Sequence, residues 1–108
     1  MRNKEDILRI VSNVREELKK IYEERLRGTY LFGSYAREDG GEDSDIDIAV
    51  VLDKISSKFA EIDRTINLAS DLTLEHGILI NLFFIQEEDL KQGIRSIHRT
   101  IKREGIYV

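Results

Sequence analysis

No cysteine, proline or tryptophan occurs anywhere in the chain. The lack of cysteine excludes disulfides and thiolate metal sites. The lack of proline, set beside a charged fraction of 35%, fits a stable, thermophile-like protein. Apolar runs long enough to span a bilayer are also missing, and the first residues are charged rather than signal-like. No membrane association is therefore expected, and a cytoplasmic location is the default. Positive charge is in short supply as well. Lys and Arg number 17 against 21 Asp and Glu, a net charge of −4. That balance argues against a domain whose main task is to grip a nucleic-acid backbone. What is there is a chain of 108 residues with 41% hydrophobic content, enough for one folded domain over 1–108 with a modest core.

The stretch from Leu31 to Val51 carries the chemistry. A short apolar run ends at Leu31-Phe32, Gly33-Ser34 breaks it, and a polar segment follows from Arg37 to Ser44. From Asp45 the pattern is extended and becomes apolar over Ile48 to Leu52. Side chains at i and i+2 of a strand share a face, so Asp45 and Asp47 stand together while Ile46 and Ile48 turn into the core. Two adjacent carboxylates repel, and a hard divalent cation such as Mg2+ relieves that repulsion while keeping bound phosphate and water. Gly33 lets the backbone approach a ligand, and backbone N–H groups with the Ser34 hydroxyl suit phosphate oxygens. A phosphate cradle beside a metal-holding Asp-x-Asp suggests a nucleoside triphosphate site.

Gly33-Ser34-Tyr35-Ala36-Arg37, a seven-residue gap and Asp45-Ile46-Asp47-Ile48 resemble the signature of the DNA polymerase beta-like nucleotidyltransferase superfamily. The short chain is similar to its minimal nucleotidyltransferase (MNT) branch, often the antitoxin partner of a HEPN-domain protein. The resemblance covers nearly the whole chain. One departure lies inside the motif: Glu38 follows Arg37 where the family commonly has Gly, and Gly40-Gly41 come later. The resemblance implies that Asp45 and Asp47 bind Mg2+, that Gly33 and Ser34 hold the triphosphate, and that a third carboxylate completes the catalytic set. By order and context that third position falls on Asn81, a neutral ligand and a very poor base. Arg37 has two readings, a phosphate contact or a brace for the acidic loop of Glu38, Asp39, Glu42 and Asp43, and bracing is favoured. The acidic loop itself lacks the spacing of a calcium loop.

In chain order, Asn3 is placed as the N-cap of a helix with Ile7, Ile10, Val11, Val14, Leu18, Ile21 and Leu26 at helical spacing, stopped by Gly28. Thr29 to Phe32 is the first strand. Tyr35-Ala36-Arg37 begins a short helix or turn that aims N–H groups at phosphate. Ile46 to Leu52 is the second strand, with a continuous apolar end that suggests a central position. Ser56 or Ser57 caps a helix from about Lys58 to His76, whose buried stripe is read as Phe59, Ile62, Ile66, Ala69 and Leu72 or Thr73, with Gly77 as its stop. His76, like His98 later, is read as a non-ligand. Ile78 to Ile85 is the third strand. One last helix begins at Gln86, carries Leu90, Ile94, Ile97 and Ile101 as its stripe, and ends at Gly105 before a packed tail. Its basic residues are read as a solvated face.

The expected fold is a small mixed α/β (α+β) sheet with helices packed largely on one face. The resemblance implies transfer of AMP from ATP to a hydroxyl, in HEPN-linked relatives a tyrosine of the partner toxin. The alternative is a non-catalytic or weakly active antitoxin, a binding module that neutralises a HEPN partner and retains nucleotide binding, and Asn81 favours it. Transfer to a small molecule is a third reading, in a group whose members generally carry a further domain. Homo- and hetero-oligomeric states both stay open.

Overall fold

A computed structural model describes residues 3–39 and 44–108. Glu42 and Asp43 lie outside the described residues. Helix α1 (Lys4–Tyr22) starts where expected: the Asn3 side chain accepts from the Asp6 N–H at 2.8 Å. It ends earlier than Gly28. Glu23 takes φ 51°, a 3-10 turn spans Glu23–Arg25, and strand β1 (Leu26–Phe32) has already begun when Gly28 is reached. Leu26 therefore belongs to the sheet, and Ile21 sits at the surface.

Strand β2 (Ile46–Leu52) pairs antiparallel with β1 and parallel with β3 (Ile80–Gln86). The tail forms a short strand, β4 (Ile106–Tyr107), antiparallel to β1. The sheet order is β3-β2-β1-β4, so β2 is central, as its apolar run predicts. Its two faces feed two cores. Ile46, Ile48, Val50 and Leu52 pack with Ile7, Val11, Val14 and Leu18 of α1 and with Leu72 of α2 (Lys58–His76). Ala49 and Val51 pack with Ile85, Leu90 of α3 (Glu87–Gln92) and Ile101 of α4 (Ser96–Glu104). The two long helices thus share one face, and the two short ones lie on the other.

Two further readings of the helices are corrected. The single last helix is two, because Gly93 adopts φ 64° and its N–H donates to the Asp89 and Leu90 carbonyls, which closes α3. Ile94 falls in the link and is 61% exposed, whereas Leu90 and Ile101 are buried as expected. In α2 the inward face runs through Glu61, Thr65 and Leu72. Phe59, Ile62 and Ile66 are exposed instead. The cause is Glu61. Its buried carboxylate accepts from Tyr22 Oη at 2.8 Å, Arg25 Nη2 at 3.1 Å and Arg64 Nη1 at 3.0 Å. A buried charge with three donors is tolerated, and here it fixes the roll of the helix. Burial, with the Glu61 carboxylate beside it, pushes the Tyr22 phenol well above its ordinary range.

Candidate active site

The site lies at one end of the sheet, where β1 runs out and β2 begins. Phe32 is the register partner of Asp47 on one side, and Asn81 is its partner on the other. The pairing brings the predicted residues from three separate segments to one place. Asp47 is half-buried and Asp45, just before β2, is exposed. The Asn81 amide donates to Asp45 Oδ2 at 3.2 Å and to Asp47 Oδ1 at 3.1 Å. One side chain therefore bridges both carboxylates, and its –NH2 group is the positive end of a dipole between two negative groups.

Gly33 follows directly on β1 with φ 79°. A Cβ built on it would stand 2.6 Å from Asp47 Oδ2, and the positive φ strains any other residue there, so glycine suits a turn that lies against the carboxylate. The Gly33 carbonyl accepts from the Ala36 and Arg37 N–H groups, both at 3.1 Å, and the Ser34 carbonyl accepts from Asp39 N–H at 3.0 Å. Residues 33–39 thus form a compact turn rather than a helix, and the expected short element is present as a turn. Glu38, in place of the usual glycine, takes φ 65° and pairs with Lys4 at 3.5 Å. Arg37 is engaged: its Nε donates to Asp39 Oδ2 at 3.2 Å and its Nη1 to Glu104 Oε1 at 3.0 Å. It braces the turn against α4.

Sequence reasoning missed the aromatic neighbours. The rings of Phe32 and Phe83 meet edge to face, 5.3 Å apart between centroids, although β2 lies between their strands. Ala49, the register partner of Phe83, is small enough to let them meet over it. The alternation of Asp47 with Ala49 was the available signal. Among the described residues no group of three or more His, Cys, Asp or Glu side chains converges as a metal site. The donor set is two carboxylates and one amide. Such a set suits a hard cation that takes its other oxygens from phosphate and water.

Comparison with known proteins gives the family. The family model described as "Polymerase beta, Nucleotidyltransferase" matches residues 16–107. The chain belongs to that nucleotidyltransferase family. It is 32% identical over 106 residues to a protein adenylyltransferase, MntA, of Thermococcus cleftensis, covering 96% of this chain and 94% of that one. A relative from Methanocaldococcus jannaschii, named provisionally for the same activity, is 40% identical over 89 residues, with 82% and 83% covered. Among solved structures, a toxin-antitoxin crystal structure with AMP-PNP superposes with a TM-score of 0.62 at 25% identity, over 88% of this chain and 69% of that one. A nucleotidyltransferase-fold structure from Sulfolobus solfataricus gives the same TM-score at 21% identity, with 96% and 80% covered.

Proposed function

We propose that this chain transfers AMP from ATP to a hydroxyl of a partner protein, a tyrosine of a HEPN-domain toxin, and so serves as the antitoxin. The observation that carries the reading is the contact of the Gly33 turn with Asp47, where a Cβ would come to 2.6 Å from the carboxylate. It joins a backbone cradle to a carboxylate pair, and a metal–triphosphate complex needs both. The names of the relatives supply the acceptor class: two are protein adenylyltransferases by name. The toxin-antitoxin structure with AMP-PNP supports an adenine nucleotide and a partner toxin.

In this reading the Gly33–Ser34 backbone and the Ser34 hydroxyl hold the β- and γ-phosphates. Asp45 and Asp47 would hold Mg2+, which when bound would neutralise charge on the triphosphate and on the leaving pyrophosphate. The acceptor oxygen forms a bond to the α-phosphorus as the bond to the bridging oxygen of pyrophosphate breaks. The proton leaves the acceptor for water, since Asn81 cannot take it. Arg37 acts on the turn through Asp39 and Glu104, and no contact to phosphate is assigned to it. The chain works away from membranes, in the cytoplasm.

Incubation with α-labelled ATP, Mg2+ and a HEPN-domain toxin from the same source tests the proposal. Label on a tyrosine of the partner is the expected result. A tight complex without label favours the second reading, a binding antitoxin without transfer activity, and the Asn81 bridge between the two carboxylates is the observation that speaks for it.

A further inference from the structure

Strand β3 is an edge of the sheet, and its free side has a definite pattern. The Ile46 N–H donates to the Leu79 carbonyl, so the odd-numbered residues of β3 direct their backbone groups toward β2. The even-numbered ones point outward. Ile80 N–H is taken by Thr73 Oγ1 at 3.2 Å, which leaves the backbone groups of Leu82 and Phe84 facing out, one on each side of Phe83. Along the same edge run the side chains that α2 turns outward, Ile62 and Ile66, 45% and 55% exposed, and Phe83 itself, 37% exposed. Natural sheets protect such edges with Pro or Lys, and β3 contains neither.

The two ends of this edge carry opposite charge. Asp45 and Asp47 stand beside Asn81 at its start. Lys58 and Arg95 flank a cleft of about 190 Å³ at its finish, next to Ile85. Neither cation has a salt bridge among the described residues.

We infer that two copies of this chain pair antiparallel through β3, about a two-fold axis at Phe83, and form one eight-stranded sheet. The occupant is a second copy because the pattern is complementary to itself. A two-fold axis at Phe83 sets Leu82 opposite Phe84 of the other copy twice over. Each of those pairs exchanges both N–H···O bonds, and all four outward groups of Leu82 and Phe84 on each chain are used. Phe83 then faces its own equivalent in a non-hydrogen-bonded pair, the closer of the two antiparallel spacings. The axis stands normal to the sheet, so like faces lie on the same side. The cationic finish of each edge comes beside the acidic start of the other, and Arg95 of the second copy stands next to Asp45 and Asp47. The exposed stripe of α2 meets its counterpart. The inference does not rest on the proposed activity.

The cysteine-free chain makes the test clean. Phe83→Cys under mild oxidation should give a disulfide-linked dimer, while Tyr107→Cys, on the opposite edge and 65% exposed, should not. The unmodified chain should sediment as a dimer at micromolar concentration. Leu82→Pro removes an outward N–H without touching the β2 ladder and should weaken the dimer by roughly tenfold or more. Phe83→Glu, which sets two like charges at the axis, should give a folded monomer by circular dichroism and sedimentation. Sedimentation of the unmodified chain as a monomer would overturn the inference. So would cross-linking of Phe83→Cys no faster than Tyr107→Cys, or a dimer left intact by Phe83→Glu.

Discussion

Asn81 and Asp47 are register partners on neighbouring parallel strands, and the asparagine amide donates to the aspartate at 3.1 Å while also reaching Asp45 at 3.2 Å. The amide does in the free protein part of what a cation does: it puts the partial positive charge of its –NH2 group between two carboxylates. Asn81→Asp replaces that donor with a third negative charge. The melting temperature without metal should fall, and Mg2+ should restore it. Transfer to the partner should rise, by as much as about 100-fold if the new carboxylate accepts the acceptor's proton. Differential scanning calorimetry with and without Mg2+ and a label-transfer assay check the two halves separately. A variant that melts like the parent in both conditions would place Asn81 outside the site.

Gly33→Val should abolish nucleotide binding. The new Cβ would need the space of Asp47 Oδ2, and a β-branched residue resists φ 79°. Strain of this kind costs on the order of 1–3 kcal/mol, so a lower melting temperature should accompany the loss. Ser34→Ala removes one hydroxyl and should weaken ATP binding far less. Equilibrium titration with ATP and Mg2+ distinguishes the three proteins.

His98 gives the chain an acid-sensitive point. The ring is 5% exposed, and Nδ1 accepts from the Arg95 N–H at 3.2 Å. Burial holds its pKa below the usual 6.5, although the Asp89 charge acts the other way. A depressed folded pKa means the unfolded chain takes the proton first. The stabilising contribution is complete above about pH 6.5 and is lost as pH falls through the lowered value. His98→Phe should remove that component, so its melting temperature should change less than the parent's between neutral pH and pH 5. Parallel slopes for the two proteins would show that His98 contributes nothing to the acid response.

The division of the last helix separates two isoleucines that share a stripe in the sequence. Ile101→Ala should cost about 2–5 kcal/mol, because the side chain is fully buried between α4 and the sheet. Ile94→Ala should stay within about 0.5 kcal/mol, since Ile94 lies exposed in the link after Gly93. Urea denaturation of both variants checks the break directly. A large loss at Ile94 would restore the single continuous helix.

The site was more legible than the helices, for reasons of period and context. Period two alone puts Asp45 and Asp47 on one side of β2, and the apolar run after them marks β2 as central. Gly33 was readable as a close approach, and the partner it approaches, Asp47, came only with the β1–β2 register. Asn81 was placed by order, and the parallel register sets it beside Asp47. The roll of α2 could not be read. Leu72 is buried as read, but Phe59, Ile62 and Ile66 point outward because the buried partners of Glu61 come from α1, the 3-10 turn and α2 itself. Gly93 was invisible for a different cause: a glycine inside an amphipathic pattern marks a break only if it takes positive φ, and local spacing does not specify that. The early end of α1 at Glu23, again at positive φ in a residue that rarely adopts it, was hidden in the same way.

We propose that Asp45 and Asp47, with the Gly33 turn, hold a metal-bound ATP. Calorimetric titration of ATP in the presence of Mg2+ into the parent, Asp45→Asn and Asp47→Asn tests it most directly. Mg2+-dependent binding by the parent is expected, with at least about tenfold weaker binding by each variant and the fold intact, because neither carboxylate belongs to the packed core. Binding of equal strength by all three proteins would contradict it.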